Sequence, residues 1–116
     1  MRGRTSGLLP IELAILETGI AFRIEGTPAF HGFRASARIR EATESSLFTT
    51  HGALYKALDR LEKRGHLTSD WEDAEIALAE GRPRRRLYQV TPAGEGAIAE
   101  ARRAAPAGNL RKAPAS

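Results

Sequence analysis

The sequence predicts a mainly α-helical domain that carries one small β-hairpin, an α+β arrangement. Three observations lead there. The stretch THGALYKALDRLEKRG, Thr50 to Gly65, has the apolar spacing of a single amphipathic helix. Two strand-like runs follow it, His66–Trp71 and Leu87–Val90, with the arginine-rich turn RPRRR (82–86) ahead of the second. Further helical runs flank this unit, two on its N-terminal side and one on its C-terminal side.

The Thr50–Gly65 helix orders the rest. Leu54, Leu58 and Leu61 recur at i, i+4 and i+7 with Ala57 beside them, so one stripe is apolar and turned inward. Tyr55, Lys56, Asp59, Arg60 and Lys63 fall on the opposite side. Thr50 is placed to cap the first turn through its hydroxyl, although no Glu or Gln three residues on completes a capping box. Gly65 suits the left-handed position just past the helix end, and Lys63 and Arg64 complement the negative pole of the helix dipole.

Upstream, Leu8 to Phe22 reads as a first helix with Pro10 in its first turn. Its stripe is Leu9, Leu13, Leu16 and Ile20, widened by Ile11, Ile15 and Phe22. That is more apolar surface than a lone small helix-turn-helix covers, which fits either a second copy of the chain or a helix at the centre of the core. Arg23–Ala29, containing Gly26 and Pro28, is a connector. Phe30 to Thr43 reads as a second helix with a mixed stripe of Phe33, Ala37 and Ile39 or Arg40; Arg34, Arg38 and Arg40 are exposed, either as phosphate contacts or simply solvated. Glu41–Thr49 is a polar loop anchored by Leu47 and Phe48. Downstream of the first strand, EDAEIALAEG (72–81) is acidic. Thr91 caps a last helix with Pro92 at its first position and a thin apolar face of Ala97, Ile98 and Ala101. Residues 1–7 and the Ala-, Pro- and Gly-rich 105–116 are expected to be flexible, leaving 8–104 as one domain.

Composition narrows the function. The chain has 116 residues and a net charge of +4. Its pI near 10.1 is the footprint expected of a nucleic-acid partner. No cysteine is present, so disulfides and thiolate metal sites are excluded and a reducing cytoplasm fits. No apolar run approaches the roughly 18 residues of a membrane helix, and Glu12 and Glu17 interrupt any signal-like N-terminal run. His31, His51 and His66 lack metal-ligand spacing, and no phosphate-binding loop or nucleophile motif occurs, so neither an enzyme nor a cofactor is expected.

Helix, helix, recognition helix, hairpin, helix is the order of a winged helix-turn-helix. The segments HGF (31–33), HGALYKALDRLEKRGHL (51–67), SDWE (69–72), GRPRRRLYQVT (81–91) and PAG (92–94) carry the likeness further. Together they resemble the PadR-like transcriptional regulators over about residues 8–102. The resemblance implies a DNA-binding repressor that works as a homodimer on double-stranded operator DNA. It also implies release by a small aromatic or lipophilic effector, with no membrane involved. The chain departs from the family pattern where His51 replaces a frequent proline and Ala53 a frequent Ser or Thr. The segment 19–29 is less regular, and the last helix, stopped by Pro106 and Gly108, is shorter than in compact members.

Side-chain chemistry then assigns expected DNA contacts. The Tyr55 hydroxyl and Lys56 ammonium suit phosphate oxygens. Thr50, His51 and Gly52 stand at a helix N-terminus whose free amides attract an anion. Base readout falls to His51, Lys56 or Arg60, unless Arg60 pairs with a carboxylate. Arg82, Arg84 and Arg85 stand at the wing tip, where Pro83 stiffens the turn, and would follow phosphates or enter the minor groove. The acidic arm either points away from DNA or pairs with these arginines. Trp71 is expected to pack beneath the wing, and Arg86 to be structural. The alternative class is a winged-helix protein–protein module without specific DNA binding; the arginines of RPRRR speak against it.

Overall fold

The computed structural model describes residues 7–43 and 51–104. The order of elements is α1 (Pro10–Ile24), α2 (Gly32–Thr43), α3 (His51–Lys63), β1 (Leu67–Trp71), α4 (Ala74–Ala79), β2 (Arg86–Val90) and α5 (Pro92–Ala104). The fold is mainly helical with a two-stranded antiparallel hairpin, as expected. Thr50, Leu47, Phe48 and the 105–116 tail lie outside the described residues.

α1 begins at Pro10, two residues later than the periodicity predicts. The Leu9 amide donates to Glu12 Oε1 at 2.9 Å, so the side chain of the third helical residue satisfies an N–H just ahead of the helix. The buried face is Glu12, Ile15, Leu16, Gly19 and Phe22. This corrects the expected stripe: Leu9 is half exposed, and Ile11, Leu13 and Ile20 are only partly covered. The phase turned because Glu12 is wholly buried and paired, at 2.7 Å, with Arg60 of α3. A polar residue on the inward face shifts the apparent apolar stripe.

α2 starts at Gly32, so Phe30 is outside it. Phe30 pairs instead with Tyr88, each amide donating to the other's carbonyl at 3.0 and 2.8 Å. Its ring is buried between Phe22 and Tyr88, with centroids 5.8 and 6.2 Å away. A non-local backbone pair thus outweighs helix propensity at this position. The inward residues of α2 are Ala35, Ser36 and Ile39, whereas Phe33, expected in the stripe, is exposed.

α3 follows its sequence closely. Leu54, Ala57, Leu58 and Leu61 are buried, and Tyr55, Lys56, Asp59, Arg60 and Lys63 are exposed. Gly65 has φ of 83°, and the Gly65 and His66 amides donate to Glu62 and Leu61 carbonyls at 3.0 and 2.9 Å, closing the helix. β1 and β2 then pair with Leu67 opposite Val90 and Trp71 opposite Arg86. Leu67, Tyr88 and Val90 bury one face of the hairpin against the helices. The acidic arm, for which no helix was expected, contains α4. Asp73 caps it by accepting the Glu75 amide at 2.9 Å, and the helix-favouring run AEIALA completes it.

Thr91 caps α5, accepting the Gly94 amide at 2.9 Å, and its hydroxyl donates to the Gly65 carbonyl at 2.7 Å. The start of α5 is thereby fastened to the end of α3. Gly94 lies so close to β1 that a Cβ there would stand 2.3 Å from the His66 carbonyl oxygen. The obstacle is backbone and cannot rotate away. Gly94→Ala is therefore expected to destabilise the domain by about 1–3 kcal/mol or more, read as a lowered urea midpoint. Gly96→Ala, which meets nothing within 4 Å, should be neutral or stabilising.

Candidate nucleic-acid interface

One face of the molecule brings together several cationic and aromatic side chains that the core does not use. Its floor is a cleft of about 270 Å³ lined by His31, Gly32, Phe33, Tyr55, Arg84, Arg85 and Arg86. Three elements meet there: the start of α2, the exposed side of α3, and the segment entering β2. Tyr55 reaches it because Leu54 and Leu58 face the core, which turns the intervening residue outward. Gly32 permits the approach; a Cβ there would stand 3.0 Å from Leu58 and 3.2 Å from the Tyr55 ring.

His31 walls the cleft and ends in a defined tautomer. Its Nδ1 accepts the Arg34 amide at 3.4 Å, a long bond that caps the first turn of α2. Partial burial, then the charges of Arg85 and Arg34, hold its pKa below the ordinary 6.5. The imidazole is thus neutral at pH 7 and keeps only Nε2–H as a donor.

The wing arginines divide in role. Arg82, expected at an exposed tip, is turned inward with a side chain only 19% exposed. Two of its nitrogens donate to the two Glu72 carboxylate oxygens, both at 2.8 Å, and its Nε donates to Glu80 at 2.8 Å. The correction has a physical cause: Glu72 is buried, and a buried carboxylate needs a cation and several donors. Arg82 meets that need, so the acidic arm does pair with an arginine. Arg84 donates through Nε to the Glu72 carbonyl at 3.0 Å, leaving its outer nitrogens toward solvent. The Arg85 amide donates to Glu72 Oε1 at 3.1 Å while its side chain is exposed.

The remaining expected contacts are scattered. Gly52 and Lys56 are exposed along α3, and His51 opens that helix. Arg60 lies at a different edge, its Nε bonded to Glu12, the carboxylate pairing weighed for it from sequence. Arg38 is paired with Glu25, and both Arg34 and Arg38 lie over the Phe22 ring, 5.3 and 4.9 Å from its centroid. Trp71 does not pack beneath the wing. It is 51% exposed, with the Arg84 and Arg86 guanidiniums over its ring. The sequence reading missed His31, Phe33 and Arg86 as cleft residues. The HGF and GRPRRR segments marked these stretches but not their convergence.

Two paired helices with a hairpin beside the second define a winged-helix protein. The family model for the transcriptional regulator PadR-like family matches residues 24–100, which contain α2, α3, the wing and most of α5. The chain belongs to this family of transcriptional regulators. Its fold is similar to the crystal structure of a PadR family transcription regulator from hypervirulent Clostridium difficile R20291. The TM-score is 0.57 at 23% identity, covering 76% of this chain and 78% of that one. No curated protein matches the chain. Among the described residues no helix is long and apolar enough to cross a membrane.

Glu72 offers a pH test of the wing. The Arg82 hydrogen bonds and the Arg85 amide bring its pKa from 4.5 down to about 2, against the opposing effect of burial. A depressed folded-state value means the stabilisation is complete above the unfolded value near 4.5 and disappears as pH falls toward 2. Glu72→Gln should therefore lower the melting temperature by a constant amount above pH 5. The gap to wild type should close as pH is taken from about 4.5 toward 2.

Proposed function

We propose that the chain is a homodimeric repressor that sets α3 against double-stranded operator DNA, with the wing arginines on the adjacent backbone. The observation that carries this reading is the shared cleft. A tyrosine of α3 and three arginines where the chain enters β2 wall a single groove, the reading being that it takes one strand of phosphates. Tyr55, Lys56, Arg84 and Arg85 are the side chains assigned to DNA, with Thr50, His51 and Gly52 at the α3 N-terminus. Arg60 and Arg82 are assigned to positioning instead, since each is bonded to a buried carboxylate. The two-helix-and-wing domain spans 8–104 in this reading.

Dimerisation is proposed at a second groove. α1 and α5 border a groove of about 360 Å³ lined by the apolar Ile20, Ile24, Ile98 and Ala99 and the charged Glu17, Arg23, Glu95 and Arg102. Ile24 is 79% exposed there, a large apolar side chain left to solvent in one copy alone. Two copies would place their α3 helices on half-sites about one DNA turn apart. Release by a small aromatic or lipophilic compound rests on the family resemblance, and the same groove is its proposed seat.

Tyr55→Ala and Lys56→Ala should each weaken duplex binding with little change in unfolding temperature. Loss of the lysine contact should lower the slope of log affinity against log salt by about 1. Variants that bind as wild type across several salt concentrations would remove α3 from the interface. Ile24→Glu should shift the sedimentation mass from dimer to monomer at micromolar concentration. A wild-type chain that sediments as a monomer with and without DNA defeats the dimer.

A further inference from the structure

Trp71 is the only tryptophan of the chain, and the wing holds it out into solvent. It closes β1 opposite Arg86, on the hairpin face that begins with Leu67 and Val90 in the core. Along that face the buried residues give way to Ser69, then to Arg86 and the indole. The Arg86 guanidinium stands 5.1 Å from the ring centroid and that of Arg84 stands 5.8 Å away. Each arginine is anchored by its inner nitrogen: Arg86 Nε donates to Ser69 Oγ at 3.0 Å, and Arg84 Nε to the Glu72 carbonyl at 3.0 Å. The outer nitrogens of Arg84 carry no ion pair among the described residues, and Arg86 Nη2 stands 3.9 Å from Glu62.

The cluster is a poor investment for stability alone. An indole half in water forgoes much of its burial energy, and two guanidiniums around one ring repel each other. Nearby carboxylates do not settle the charge. Glu72 is taken up by Arg82 and the Arg85 amide, and Glu62, which accepts the Ser69 hydroxyl, is 3.9 Å from Arg86. Among the described residues Arg84 makes no ion pair. Glu62 serves Arg86 at the long distance of 3.9 Å and shares its oxygen with Ser69, Arg84 has no anion of its own, and between the two charges lies a flat apolar ring. A nucleic-acid backbone supplies both complements, phosphates for the guanidiniums and a deoxyribose face for the indole.

We propose that Trp71, held by Arg84 and Arg86, is itself a DNA-contacting residue that lies against a deoxyribose of the duplex backbone while the two arginines engage the flanking phosphates. The inference rests on the DNA-binding reading above and adds a residue that reading does not use. It makes the wing a grip on backbone shape as well as on charge, without base-specific readout.

The single tryptophan reports on the contact directly. The whole protein is titrated with an end-labelled duplex of mixed sequence, about two helical turns long. Label anisotropy is followed beside tryptophan emission and its quenching by acrylamide. Emission should change in step with anisotropy, and acrylamide access should fall several-fold at saturation. Heparin, a polyanion without deoxyribose, should occupy the arginines and leave acrylamide access close to that of the free protein. Trp71→Ala should lower duplex affinity about tenfold, within the range of aromatic contacts to nucleic acid, and Trp71→Phe should retain most of it. The circular dichroism of both variants should match wild type. Saturating anisotropy with unchanged emission, unchanged acrylamide access and unchanged affinity of Trp71→Ala overturns the contact and leaves the DNA reading standing. Equal protection by heparin overturns the deoxyribose contact and reduces the cluster to a charge site. A duplex that fails to bind at any salt concentration overturns both.

Discussion

Where the two arms of the wing come together, a single carboxylate is taken out of water and has to be compensated there. Glu72 accepts two hydrogen bonds from Arg82 and one from the Arg85 amide. Its own N–H donates to the Arg85 carbonyl at 2.8 Å, and its carbonyl accepts Arg84 Nε. A buried charge so surrounded is costly to disturb, because removing one partner leaves the others unsatisfied. The chain reversal after α4 is fixed by it, and with that the entry of β2. The directions of Arg84, Arg85 and Arg86 follow from the same anchor. The wing is in this sense built around an acid, though its exposed arginines make the surface basic.

Charge sorting of this kind recurs. Arg23 pairs with Glu95, Arg38 with Glu25, Arg60 with Glu12 and Arg102 with Glu17. These pairs take up four carboxylates on or beside α1 and α5. Among the described residues Lys56, Arg84 and Arg85 make no ion pair, and the two arginines line the same cleft. A net charge of +4 therefore understates the local field, which is concentrated rather than spread. The direction of the His31 shift agrees with such a field, since Arg85, Arg34 and Arg82 all act to keep it neutral.

What was legible in the sequence was local. The leucine stripe of α3, the glycine that ends it and the threonine that caps α5 each depend on residues within a turn or two, and each stands where its spacing puts it. Phe30, Arg82 and Trp71 were not legible for one shared reason. Each is decided by a partner far along the chain: Tyr88 for Phe30, Glu72 for Arg82, Arg84 and Arg86 for Trp71. Run-length and periodicity do not see such partners. The same holds for Glu12, whose burial with Arg60 moved the inward face of α1 away from the leucines. The cleft was legible only as pieces, an HGF stretch, a tyrosine and a run of arginines, until Phe30 and Tyr88 joined the connector to the wing.

The bond from the Thr91 hydroxyl to the Gly65 carbonyl, with Gly94 pressed against the His66 carbonyl, has a mechanical meaning. It makes the junction of α3 and α5 a fulcrum. A displacement of α5 would reach the chain just past the C-terminal end of α3, while Gly52 and Tyr55 sit toward the opposite end of that 13-residue helix. A helix of that length is about 20 Å long, so a tilt of roughly 5° about the fulcrum sweeps its far end by about 2 Å. That displacement is comparable to the tolerance of a hydrogen bond. In this geometry a small rotation at the α1–α5 groove is amplified at the N-terminal turns of α3, and the lever arm is the helix itself.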